Sequence, residues 1–234
     1  MSFRQFDDRL DEVTRGLHQM AHDTEELVRR AVALVGQPTV DPAPIRDADD
    51  EIDRAEVEVE ESTVEILALH HPVARDLRVL VTVLKINNDL ERIGDHAVNI
   101  AEAAARLAQA EKKVPIPPEL DDMSRMAREM LRDALDAFAH RNADDARSVI
   151  ARDDRLDQLQ DSLFRVMITH MPDYNLSGCL QVILIGRNLE RIGDLATNIG
   201  EDVVYMVQGI TIRHQEGGPA PASGGEAGGE PTAS

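Results

Sequence analysis

The sequence predicts an all-α protein made of two tandem three-helix bundles related by internal duplication, and three observations carry that prediction. First, the segment Leu90-Glu91-Arg92-Ile93-Gly94-Asp95 returns 99 residues later as Leu189-Glu190-Arg191-Ile192-Gly193-Asp194. Around it, 11 of 19 positions in 84–102 match those in 183–201, including Ala97/Ala196, Asn99/Asn198, Ile100/Ile199 and Glu102/Glu201, so one unit occurs twice. Second, long amphipathic stretches are separated by Pro, Gly and short polar clusters at corresponding places in both copies. Third, aromatic residues make up only 3% of the 234 and Trp is absent, while Ala, Leu, Val, Asp, Glu and Arg dominate. That mixture favours helices over strands.

Each element follows from this punctuation. The first predicted helix runs from about Phe6 to Val35 and stops at Gly36-Gln37-Pro38. The second starts near Pro42–Pro44 and runs to His70, halted by Pro72; the third runs from about Ala74 to Lys113 and ends at Val114-Pro115-Ile116-Pro117-Pro118. The second copy repeats the plan with Glu119–His140, Ala143–His170 before Pro172, and Tyr174–Gln208. The landmarks correspond, His70-His71-Pro72 with His170-Met171-Pro172 and Asp49-Asp50-Glu51-Ile52-Asp53 with Asp153-Asp154-Arg155-Leu156-Asp157. Short connections make consecutive helices antiparallel neighbours. The predicted units are therefore 1–114 and 115–214, followed by a tail, 215–234, whose Gly, Pro and Ala content is expected to leave it disordered. The third helix of each unit would be about 55–60 Å long, and the two units are expected to share a surface with pseudo-two-fold symmetry.

Charge and composition exclude several classes. A net charge of −19 argues against nucleic-acid phosphates and anionic membrane surfaces as partners, and favours cations or basic protein surfaces. No run approaches the roughly 20 apolar residues that cross a bilayer, and the residues after Met1 carry no apolar signal segment. The single Cys179, set in an apolar stretch, is expected to be a buried thiol in a reducing, cytoplasmic setting.

The repeated motif carries the chemistry. On a helical wheel Ile86, Leu90, Ile93, Ala97 and Ile100 gather on one side, with Glu91, Asp95, Asn99 and Glu102 nearly opposite. The sister helix sets Ile185, Leu189, Ile192, Ala196 and Ile199 against Glu190, Asp194, Asn198 and Glu201. An acidic helix stripe is ordinarily a solvated face. Here the stripe is duplicated, its acid pairs lie four apart and repel unless a cation relieves them, and each copy carries a mid-helix glycine. Gly94 and Gly193 each cost about 1 kcal/mol relative to Ala, which points to a close approach at the backbone. The second helix adds Asp49, Asp53, Glu56 and Glu60 on one face, and the second copy keeps Asp153, Asp157 and Asp161 but has Gln160 and Phe164 instead of the two Glu. Oxygen donors of this kind suit magnesium, manganese, calcium or iron and match structural zinc poorly. The first copy, richer in acids, is the expected better site.

Laid out in this way, the chain resembles the PhoU family of phosphate-signalling regulators. The resemblance covers about residue 6 to His214. It rests on Pro72-Val-Ala-Arg75-Asp76-Leu77-Arg78 leading into Leu90–Asp95, on Asp136-Ala-Phe-Ala139 followed by Asp153-Asp154 and Asp157, on Glu190–Asp194 with Asn198-Ile199, and on Tyr205-Met-Val-Gln-Gly209. It implies two three-helix bundles and metal (iron, zinc, manganese or magnesium) on the motif faces. Carried over by position, Glu91, Asp95, Glu190 and Asp194 are the motif ligands, with Asp49, Asp53, Asp153 and Asp157 beside them. It further implies a cytoplasmic homodimer that represses the phosphate-starvation response. Its implied partners are the nucleotide-binding subunit of a phosphate ABC transporter and a sensor histidine kinase, with phosphate sensed through the transporter.

Three other readings compete with it. A di-iron enzyme of ferritin type needs Glu-x-x-His pairs, and none of the eight His lies three residues after a Glu. A histidine phosphotransfer domain would use His96, but the sister position is Leu195. A ligand-free helical scaffold is the third. No nucleophile triad, Walker loop or dinucleotide fingerprint is present, so no catalytic residue is expected. Arg92 and Arg191 lie about 100° round from the acids, where a salt bridge or a partner contact would engage them. His70, His71 and His170 are expected to stabilise helix C-termini.

Overall fold

The computed structural model describes residues 3–174 and 176–212; the expected tail, 215–234, lies outside them. The described residues form seven helices and no strand: α1 (Phe3–Ala33), α2 (Ala43–His70), α3 (Ala74–Ala108), α4 (Pro118–His140), α5 (Ala143–Ile150), α6 (Asp153–His170) and α7 (Leu176–Gln208). Helices α1–α3 make the first bundle and α4–α7 the second. Local chemistry ends the rods where expected. Gly36 takes φ +81° after α1 and Gly209 φ +72° after α7, a conformation that side chains resist. His70 closes α2, its ring tilted against Phe6 with the centroids 5.5 Å apart, and Pro72 prevents continuation.

Two boundaries differ from the expected ones. The fifth predicted rod, 143–170, is interrupted at Ala151–Arg152 into α5 and α6. Asn142 caps α5 by accepting from the Asp144 and Asp145 backbone N–H groups, while Arg152 at the break donates to Asp133 on α4 at 2.7 Å. Helix α3 stops at Ala108, short of Lys113, because the chain turns to lay Val114 on Gly178 of α7, where a Cβ would not fit.

The core stripe is the predicted one. Ile86, Leu90, Ile93, Ala97 and Ile100, with their sisters Ile185, Leu189, Ile192, Ala196 and Ile199, are wholly buried, so each large side chain removed would cost about 2–5 kcal/mol. Cys179 is likewise fully buried and unpaired, as expected.

The halves meet chiefly along α3 and α7, which run antiparallel: Lys85 Nζ bonds Asp202 Oδ1 at 2.8 Å and His96 Nδ1 meets Asn188 Oδ1 at 3.0 Å. Asp202 is 2% exposed, so Lys85 supplies the charge that such burial requires. Helices α1 and α4 add a second contact, where His18 packs edge-on to Phe138. No helix among the described residues is long and apolar enough to cross a membrane.

Candidate metal centre

The carboxylates of the repeated motif do not stand on an isolated outer face. In each half they line a seam between the motif helix and its antiparallel neighbour, α2 beside α3 and α6 beside α7. The mid-helix glycines explain the closeness of these seams. A Cβ at Gly94 would strike Asp49 Oδ1, and a Cβ at Gly193 would strike Leu156 Cδ2. Glycine at both positions lets the neighbouring helix close in, and what packs there differs.

In the first half Asp49 is turned inward against Gly94. Among the described residues its Oδ1 is buried without a hydrogen-bond partner, a costly state for a polar atom. Burial first, and then the charges of Asp53, Asp95 and Glu91, push its pKa up to about 7. Burial also raises Asp53, with Asp95 adding to it, and raises Glu91, with Asp95, Asp53 and Glu56 adding. The four predicted positions of this half, Asp49, Asp53, Glu91 and Asp95, thus share one field. Glu102, further along the stripe, is taken by ion pairs with Arg46 at 2.9 Å and Arg106 at 2.8 Å.

In the second half one oxygen from each of Asp157, Glu190 and Asp194 lies within 4.8 Å of the others. A cation held at about 2.3–2.6 Å from each oxygen fits that spread. Burial first, then Glu190, Asp153 and Asp157, lifts Asp194 to about 6; burial and Asp157 raise Glu190 against the opposing pull of Arg187 and Arg191. Asp157 is raised by burial and by Asp153. Asp153 itself accepts a hydrogen bond from Thr197 at 3.0 Å and is not one of the three, although its charge reaches them. The sequence pointed to the acid-rich first half as the better site. Among the described residues, the structure brings three carboxylates together only in the second.

Both seams fit a hard cation on the chemistry of their donors. The second offers three convergent carboxylates. The first offers a buried carboxylate oxygen with nothing to satisfy it, beside three more acids. Three determinants escaped the sequence reading: Thr197, which ties down Asp153; Asn87, which donates to Glu56 O at 2.9 Å; and Arg187, near Glu190. Thr197 alone had a signal, as a hydroxyl where the first copy has Val98. Arg92 reaches Asp89 at 3.5 Å on its own helix, one of the two engagements expected of it, whereas Arg191 has no such pair among the described residues.

With this geometry in hand, the comparisons are specific. The family model described as PhoU domain matches residues 17–104 and again 120–203, one match per half. The chain is 38% identical to a protein of Pseudomonas putida named phosphate-specific transport system accessory protein PhoU homolog, over 90% of this chain and 84% of the relative. The crystal structure of PhoU from Pseudomonas aeruginosa superposes with a TM-score of 0.83 at 35% identity, covering 88% of this chain and 100% of that one. The phosphate transport system regulatory protein PhoU from Streptococcus pneumoniae gives 0.80 at 28% identity, covering 88% and 99%.

Proposed function

This chain belongs to the PhoU family, and from that membership we propose that it is a regulatory accessory protein of a phosphate-specific transport system. Binding, not catalysis, is its mode of action. The observation that carries the proposal is the duplicated acid-x-x-x-acid motif, placed on two seams of which one presents three convergent carboxylates. The relatives are named for phosphate-specific transport, which supports the same role.

In the proposed arrangement Asp157, Glu190 and Asp194 hold a cation in the second half, with Asp153 nearby. Asp49, Asp53, Glu91 and Asp95 hold one in the first. Iron, manganese or magnesium suits these donors better than zinc. A bound cation supplies positive charge that relieves the repulsion among the acids and fixes the two seams as docking surfaces. The chain's own residues do the rest. The glycines admit the neighbouring helix, the apolar stripe holds the rods in register, and the α3–α7 contact sets the distance between the seams. The docking partners we propose are the transporter's nucleotide-binding subunit and a sensor histidine kinase, met in the cytoplasm by a homodimer acting as negative regulator.

Calorimetric titration of chelator-stripped protein with Mn²⁺, Mg²⁺ and Fe²⁺ tests the cation sites. Saturable uptake that Glu190→Ala/Asp194→Ala removes is expected, and no uptake by the wild type would refute them. Affinity capture from cells grown in high and low phosphate tests the partners, with transporter ATPase or kinase expected in the eluate. A deletion strain should express phosphate-starvation genes in phosphate-rich medium; unchanged expression counts against repression.

A further inference from the structure

Between the halves, α3 and α7 border an open-sided cavity of about 490 Å³. Arg92 and His96 reach it from the first half, and Arg187 and Arg191 from the second, beside Glu190 and Asp194. Three guanidinium groups in one small space run against a chain of net charge −19. Among the described residues Arg187 and Arg191 have neither a hydrogen bond nor an ion pair within 4 Å, and Arg92 has Asp89 at 3.5 Å. The cavity wall is fixed at this point, since Asn188 Nδ2 donates to Leu184 O at 2.8 Å and leaves Oδ1 to accept from His96 Nδ1 at 3.0 Å.

Guanidinium groups drawn together repel one another, and Glu190 and Asp194 on the same wall answer only part of their charge; each presents a planar fork of donors that matches the oxygens of a tetrahedral oxyanion. We propose that this cavity binds an oxyanion of the phosphate class, gripped by Arg92, Arg187 and Arg191 across the junction of the two halves. The site is single, because the pseudo-two-fold equivalent of Arg187 is Asn88. The mirror position therefore has one guanidinium fewer. Glu190 and Asp194 on the cavity wall oppose the anion until a cation neutralises them, so a cation on the second seam strengthens anion binding without being the anion's only anchor.

The test is equilibrium dialysis of the full chain against orthophosphate and, separately, ADP, each in EDTA and in Mn²⁺. Saturable binding of either ligand in EDTA supports the site, and the arm that binds more tightly tells a free anion from the phosphoryl end of a nucleotide. Arg187→Gln and Arg191→Gln should each weaken binding about tenfold, the factor that about 1.4 kcal/mol represents. Arg187→Lys should retain part of it, and Arg125→Gln, an exposed arginine paired with Asp122 on α4, should change nothing. Thermal melts verify that the variants fold. Absence of binding up to about 10 mM of either ligand, well past the millimolar range of weak sites, overturns the proposal. So does binding that needs Mn²⁺ and ignores the arginine replacements, which would place the anion on the metal alone. Loss of Mn²⁺ uptake with anion binding retained would defeat the cation sites and leave this one standing.

Discussion

The two carboxylate seams carry acids at matching positions and equal spacing, yet the molecule holds them differently. In the first, Asp49 turns inward onto Gly94 and leaves a buried oxygen unsatisfied. In the second, Leu156 fills the space at Gly193, Thr197 ties down Asp153, and Asp157 joins Glu190 and Asp194. Duplication preserved the acid positions, and the residues packed around them decided which acids converge. A count of acids favours the first seam, whereas the convergence of three carboxylates belongs to the second.

The contrast breaks most readily at the glycines. Gly193→Ala drives a methyl into Leu156, which is 1% exposed and has nowhere to go. A net loss of about 1–2 kcal/mol is expected in urea unfolding, overpacking exceeding the helix gain. Gly94→Ala meets only the carboxylate of half-buried Asp49, which can swing toward solvent, so its effect should be near zero. Equal losses would show that the two seams are packed alike.

Next in size is cation affinity. Asp157→Ala should weaken Mn²⁺ binding at least about tenfold in calorimetry, because it removes one of three converging ligands. Asp153→Ala should stay within about twofold, its carboxylate being engaged by Thr197. A reversal of that order would move the site toward Asp153.

The pH dependence of stability sharpens the comparison further. In the fold Asp49 keeps its proton up to about pH 7, whereas in the unfolded chain it ionises near its ordinary 3.8. The stability it contributes is full below that lower value and is lost as pH rises toward 7. In EDTA, Asp49→Asn should therefore melt a few degrees higher than wild type at pH 8 and almost together with it at pH 4. Asp194, lifted only to about 6, should lose its contribution over a narrower window and give a smaller gain as Asp194→Asn. A smaller effect than that of Asp49→Asn is expected from Val98→Thr, which offers Asp49 the hydroxyl that Asp153 already has. A gain of about 1 kcal/mol at pH 8, accompanied by weaker cation binding in the first half, would trace the contrast to a single side chain.

Much of this molecule was legible because its determinants are local. Gly36, Pro72 and Gly209 end rods by their own backbone chemistry, and the stripe from Ile86 to Ile100 declares its buried face by spacing alone. The break at Ala151–Arg152 was hidden because neither residue opposes helix. A partner on α4, Asp133, draws Arg152 away, and Gly200 lets α7 close on the Ala146 carbonyl. The arginine cavity was hidden for a similar reason: Arg92 and Arg187 lie 95 residues apart in the chain and meet only when α3 and α7 pack.

By itself, then, the sequence determined the helical class, the twofold repeat and the eight acids of the two seams, since periodicity and punctuation act over a few residues. Tertiary structure alone decided which of those acids converge, which one is left buried without a partner, and where the arginines gather. Those outcomes depend on which side chain fills the space beside Gly94 and Gly193 and on how two distant helices cross, and neither is encoded within a single helix.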